Sequence, residues 1–123
     1  VRLRPPVPGA GVIGMVPIPK RLLPSRAEVR VPEEVDGRQG FSDKRLLLGV
    51  RYEQRASVRA TDYQLQDATT GLLFIDAVNT AGAMELPAGS LVSVDGATEC
   101  CVASCTRYVD ERGHVHHGEV ELK

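Results

Sequence analysis

Apolar and polar residues alternate with a period of two over much of the chain after Ser25, the pattern of half-buried strands. In Ser25–Val31, Ala27, Val29 and Val31 oppose Arg26, Glu28 and Arg30, and Pro32 ends the run. A second strand is predicted over Arg45–Gln54. Leu46, Leu48, Val50 and Tyr52 fall on one face, and Arg45, Leu47, Gly49, Arg51 and Glu53 on the other. Thr70–Val78 is the strongest apolar run and is short enough to favour a central strand over a helix, with Asn79–Gly82 turning the chain. Ser90–Val94 leads into Asp95-Gly96, the dipeptide typical of a two-residue type I′ turn, and Ala97–Tyr108 is the return strand. Asp110–Gly113 makes another polar turn before a last strand, Val115–Leu122. Five or six short strands with little helix predict an all-β fold, a small antiparallel β-barrel or sandwich.

Three stretches fall outside the alternation. Residues 1–19 hold only proline, glycine and scattered aliphatics, and the Pro-bounded segment Ile18–Pro24 has room for one helical turn. The division expected is therefore an extended, proline-rich basic arm over residues 1–24 and a single β domain over 25–123. Glu33–Asp43 is acidic, and Asp36-Gly37 tolerates positive φ, so it reads as a mobile loop between strands. Arg55–Thr69 is polar and mixed, and its pattern allows a short helix, a bulged strand or a loop.

Composition sharpens this outline in two ways. A length of 123 residues suits one domain, and with three Tyr, two Phe and no Trp the core must be thin and aliphatic. The formal net charge of -1 conceals an asymmetry. Residues 1–31 hold six basic side chains against one acid, whereas the remainder is net acidic, and seven of the eight prolines lie in residues 1–32. A basic arm on an acidic body points to self-assembly or to contact with a polyanion. An arm of this kind rarely orders without something to lie on, so a neighbouring subunit or partner is expected at Arg2, Arg4, Lys20, Arg21, Leu22 and Leu23. Gly14 and Pro17 interrupt the aliphatics Val12–Ile18 far short of a membrane span; no targeting signal is read and a soluble protein is expected.

Candidate chemistry is sparse. In a regular strand His114 and His116 share a face and His117 points the other way, so at most two imidazoles meet and no metal site is expected. Cys100, Cys101 and Cys105 form no disulfide framework and suit a reduced intracellular protein. Cys101 and Cys105 share a face in a regular strand, and the apolar surroundings of all three favour packing over nucleophilic chemistry with the histidines. Asp62, Asp67, Asp76 and Glu85 show no paired spacing, and Gly9, Gly11 and Gly14 lack the strand and helix that a phosphate-binding loop requires. Neither an enzyme nor a cofactor is expected. Arginines without interleaved aromatics argue against sequence-specific nucleic-acid binding.

The order of several short segments nevertheless resembles a family. They are Pro17–Pro24 (PIPKRLLP), Ala27–Val31, Val50-Arg51-Tyr52-Glu53, Leu73-Phe74-Ile75-Asp76 followed by Asn79, Ser90–Gly96 (SLVSVDG) and His116–Leu122 (HHGEVEL). Together they resemble the small minor capsid or head-completion proteins of tailed bacteriophages over residues 17–123; the first 16 residues are longer and richer in proline than is usual there. The resemblance implies a stopper-like β-barrel of the head–tail connector. Such a protein would form a homo-oligomeric ring, a hexamer or dodecamer, below the portal and adaptor, retaining packaged DNA and joining the tail terminator or tail proteins. It implies a virion protein assembled in the host cytoplasm, with nonspecific DNA contact as a secondary expectation and no membrane partner. Adaptor, tail terminator and capsid-associated minor protein are the alternatives, and a metal- or thiol-dependent hydrolase is the less favoured one. In this reading the channel- or partner-facing loops are Asp36, Gly37, Arg38 and Gln39, and Asp62, Gln64, Gln66 and Asp67.

Overall fold

The structure, a computed structural model, describes residues 16–61 and 64–123, with the backbone alone described for 55–61 and 64–70. A single 3-10 turn, Lys20–Leu22, occupies the Pro-bounded segment. Eight strands follow: β1 (Ser25–Arg30), β2 (Pro32–Val35), β3 (Arg38–Phe41), β4 (Arg45–Thr61), β5 (Gln64–Asp76), β6 (Leu91–Val94), β7 (Cys100–Val109) and β8 (Val115–Leu122). Six of them close an antiparallel barrel in the order β1-β4-β5-β8-β7-β6, while among the described residues β2 and β3 pair only with each other. The barrel form of the expected all-β fold is therefore the one adopted.

The core is thin and aliphatic, as the composition demands. Ala27 and Val29 of β1, Leu47 and Val50 of β4, Leu73 and Ile75 of β5, Val92, Val102, Val120 and Leu122 fill it, and Leu86 drops in from the long β5–β6 connection. No Phe belongs to this cluster, and Tyr52 packs at its margin. Tyr52 lies so close over Gly71 that a Cβ there would collide with its ring. Burial pushes the Tyr52 phenol above its usual value of 10.0, and the neighbouring Cys100 adds to the shift.

Bulges overturn three expectations of strict alternation. Ser25 pairs with Val50 but Arg26 with Leu48, so Gly49 is an extra residue in β4, and its φ of 85° is open to glycine at little cost. The bulge swaps faces. Leu47 and Val50 both point into the core, whereas Leu46 and Leu48, expected inside, are about half exposed. A Cβ at Gly49 would lie 2.9 Å from the Asn79 carbonyl oxygen, which keeps this position small as well as left-handed.

In β7 the register slips between Val102 and Ser104. Cys101 is consequently exposed while Cys105 packs on the core, so the two do not share a face. In β8, Tyr108 pairs with His117 but Val109 with Val115, leaving His116 as the extra residue and turning it toward His117.

Glu33–Asp43 is not a simple loop. Most of it forms the β2–β3 hairpin, exposed throughout its two strands, because Asp36 (φ 53°) and Gly37 (φ 75°) supply the two positive-φ residues of a type I′ turn. The Ser42 hydroxyl accepts the Val31 N–H at 3.0 Å and ties the hairpin's base. The described part of Arg55–Thr69 is likewise strand: β4 runs to Thr61 and β5 begins at Gln64.

Candidate assembly surface

Two features at opposite ends of β5 have no counterpart in a minimal barrel. The first is a β-ribbon. β4 and β5 pair over twelve positions, from Val50 with Ile75 to Thr61 with Gln64. β1 covers β4 only as far as Val50, and β8 covers β5 only from Gly71 onward. From Arg55–Thr70 outward the two strands pair only with each other among the described residues, and at about 3.3 Å per residue this projecting part is roughly 23 Å long. Among the described residues no third strand pairs with either outer edge. Two open rows of N–H and C=O groups result, and an isolated two-stranded hairpin is marginal in water.

The second feature is a strap, residues 16–23, fastened across the far end of β5. Asp76 is fully buried there, and its carboxylate accepts N–H groups from Ile18 (2.9 Å), Val78 (2.9 Å) and Asn79 (2.7 Å). Thr80 completes the turn: its hydroxyl accepts the Asp76 N–H at 2.9 Å and donates to the Gly49 carbonyl at 2.5 Å. The Asn79 amide donates to the Ile18 carbonyl at 2.8 Å, so Ile18 is held through both of its backbone groups. Past it, Leu23 is buried at 4% exposure.

The histidines fasten the strap's outer end. His116 Nε2 lies 2.6 Å from the Val16 carbonyl oxygen; since a carbonyl only accepts, this nitrogen carries the proton. His116 Nδ1 meets His117 Nδ1 at 2.8 Å, and His117 Nε2 meets Glu119 Oε2 at 2.9 Å. Tyr108 stacks on the His117 ring at 4.8 Å between centroids. The expectation that His116 and His117 face opposite ways is thus corrected by the β8 bulge. His114 stands apart, exposed, with Nδ1 3.8 Å from Asp110. Among the described residues no group of three or more His, Cys, Asp or Glu is arranged to hold a metal ion. The thiols of Cys100 and Cys101 contact the carbonyls of Thr98 and Val102 rather than a histidine.

The remaining expected site residues divide by position. Lys20, Arg21 and Leu22 form the exposed turn of the strap, but Leu23 is committed to the barrel and is not free for a neighbour. Asp36, Gly37, Arg38 and Gln39 sit at the exposed tip of the β2–β3 hairpin, which leaves the barrel at the end opposite the ribbon. At its base the Arg30 guanidinium lies 5.5 Å from the centre of the Phe41 ring and pairs with Glu99 at 2.9 Å. Gln64, Gln66 and Asp67 are strand positions of β5 in the ribbon, not loop residues. Arg2, Arg4 and Asp62 lie outside the described residues.

Sequence reasoning treated Asp76 as one scattered acid and missed it as the anchor of the strap. The signal was present: an Asp directly after an apolar run, followed by Asn79 and Thr80, suits a side chain that caps its own turn. Compared with known proteins, the chain matches no family model, no curated protein and no solved structure.

Proposed function

We propose that this chain is a structural subunit of a bacteriophage neck, a head-completion or stopper-like protein that works by assembling into a ring and not by catalysis. The observation that carries the reading is the ribbon: a two-stranded projection with both edges open is a surface built for another strand. Its edges differ in charge. The projecting part of β4 includes Arg55 and Arg59, whereas that of β5 includes Asp67 and no basic residue. Pairing the β4 edge of one copy with the β5 edge of the next is heterologous, and heterologous contacts that close make rings. The β2–β3 hairpin at the opposite end gives each subunit a second projection, so that a ring would present one set of projections to each neighbour along the neck. The resemblance of residues 17–123 to head-completion proteins supplies the biological setting, with portal or adaptor on one side and tail proteins on the other.

The test replaces residues 56–69 by Asn-Gly, a two-residue turn that closes the shortened hairpin. The expected result is a full-length protein that forms rings, seen by mass measurement and by electron microscopy of the particle, and a shortened one that stays monomeric. A shortened protein that still formed rings would overturn the role of the ribbon. A particle whose neck lacks the protein would overturn the function, and a ring seated directly on the portal would make it an adaptor instead.

A further inference from the structure

Two apolar patches lie on the outside of the barrel. On β4, Leu46 and Leu48 flank the buried Leu47 and are 50% and 48% exposed. They stand opposite Glu28 and Arg26 of β1, and the exposed Ala81 bridges to Leu48 from the other side. On β7 and β8, Tyr108, Val109 and Val115 are 44%, 51% and 40% exposed, and Tyr108 pairs with His117 while Val109 pairs with Val115. Single exposed apolar side chains are ordinary, but groups of neighbouring ones mark contact surfaces.

Their placement relates them. In the closed order β1-β4-β5-β8-β7-β6, β4 is three strands from β7 and β1 three strands from β8 whichever way the barrel is followed, so the two patches face opposite ways. Both sit at the end away from the ribbon: Leu48 lies two residues past the Val50–Ile75 rung, and Tyr108 is level with the Asp76–His117 rung. Charge distinguishes them. The first patch is bordered by Arg26, and by Arg30 and Lys44, which share a shallow recess with Glu28; Arg30 is engaged by Glu99. On the outer face of β7 and β8, Glu119 and Glu121 alternate with the core residues Val120 and Leu122. Arg107 of β7 alternates away from that face and pairs with Glu85, so the second patch is bordered by acids without a base among the described residues.

We infer that the patches are the two halves of one contact between copies of this chain. The β1–β4 face of one subunit, centred on Leu46 and Leu48, packs on the β7–β8 face of the next, centred on Tyr108 and Val109, with Arg26 and Lys44 toward Glu119 and Glu121. Apolar surface meets apolar surface and bases meet acids. Because the faces are unlike and opposed, the contact is heterologous and repeats from copy to copy. The inference rests on the reading of the chain as a ring-forming subunit and gives that ring a barrel-to-barrel contact. It runs in the same direction as the ribbon pairing, since β1 lies on the side of the ribbon's β4 edge and β8 on the side of its β5 edge.

Two variants of the full chain test it, Leu48→Glu on one face and Tyr108→Glu on the other, with assembly followed by analytical ultracentrifugation. Each alone is expected to be monomeric, its self-association weakened about thirtyfold, the effect of losing a central interface contact. Mixed in equal amounts they should give particles of twice the monomer mass and nothing larger. The intact β7–β8 face of the Leu48→Glu chain then meets the intact β1–β4 face of the Tyr108→Glu chain, and both outer ends are blocked; that dimer also shows that both variants are folded. If either fails to fold, Arg26→Glu and Glu121→Arg replace them: each alone should be monomeric, and mixing them should restore the larger assemblies, because every junction regains opposite charges. Variants that form rings as readily as the parental chain would overturn the inference and leave the ribbon-built ring standing. Dimers formed by one variant alone would overturn it in favour of like-with-like pairing. A parental chain that forms open chains, lost in both variants, but no rings would uphold the contact and overturn the ring, and a parental chain that stays monomeric at every concentration would overturn both.

Discussion

Strands β4 and β5 can be compared with themselves. Over Val50–Gln54 and Gly71–Ile75 they belong to the barrel, with Val50, Leu73 and Ile75 in its core. Over Arg55–Thr61 and Gln64–Thr70 the same ladder continues, but among the described residues no other strand flanks it. The backbone hydrogen bonds are of the same kind in both parts, so they cannot be what separates them. What separates them is their neighbours: in one part the other strands of the barrel cover the ladder and supply apolar burial, which contributes about 25 cal/mol per Å². A ladder alone holds register, and only a core holds a fold. A ribbon that outruns its core is accordingly the part of the molecule with most to gain from a partner.

That contrast can be broken experimentally, and the largest effect is expected in the core. Leu73→Ala, at a site with no exposure, should cost about 2–5 kcal/mol in urea unfolding. Replacing residues 56–69 by Asn-Gly should leave the urea midpoint close to that of the full chain; an equally large loss from both changes would mean that the ribbon shares in the barrel's stability.

Asp76→Ala comes next. It leaves three N–H groups without their carboxylate, and the loss expected is about 2–3 kcal/mol. The same variant should speed hydrogen exchange at Ile18 more than at Leu73, since the strap depends on the carboxylate directly. Gly49→Ala should cost about 1–2 kcal/mol for its left-handed backbone, with the contact to Asn79 adding to that, and would be read from the same unfolding curve.

The smallest effect is on the acid limb of stability. The Ser25 hydroxyl, followed by the Arg26 N–H, holds the Asp95 carboxyl below its usual 3.8. At Asp110 the N–H of His114 acts first and that of Arg112 adds to it. A lowered folded value means that each contribution is present above the usual carboxylate value and fades as pH falls through the folded one. Asp95→Asn should therefore flatten the fall in stability below pH 4 slightly while leaving the alkaline side unchanged.

Much of the fold was legible because strands announce themselves locally. The six barrel strands follow from alternation and from turn residues such as Asp95-Gly96, whose φ values of 51° and 77° are those the dipeptide was expected to adopt. Where the reading failed, a single inserted residue was responsible. Gly49, Ala103 and His116 each shift the period by one, and a shift of one moves every later side chain to the other face. The polar stretches failed for a different reason. Glu33–Asp43 and Arg55–Thr69 carry too few apolar residues to mark a strand, and their ladders are visible only once the partner strand is in place.

The chain on its own determined what can be decided by neighbours in sequence: an all-β chain, an aliphatic core poor in aromatics, the turn at Asp95-Gly96, and a basic, proline-rich stretch ahead of an acidic body. Tertiary structure alone decided which residues meet. Closing the barrel set the bulges that turn Leu47 inward and Leu48 outward, brought His116 to Val16 across a hundred residues, and buried Asp76 under the strap. The physical reason is range. Alternation and turn preference are set within a few residues, whereas burial and the pairing of buried polar groups depend on segments that only the fold brings together.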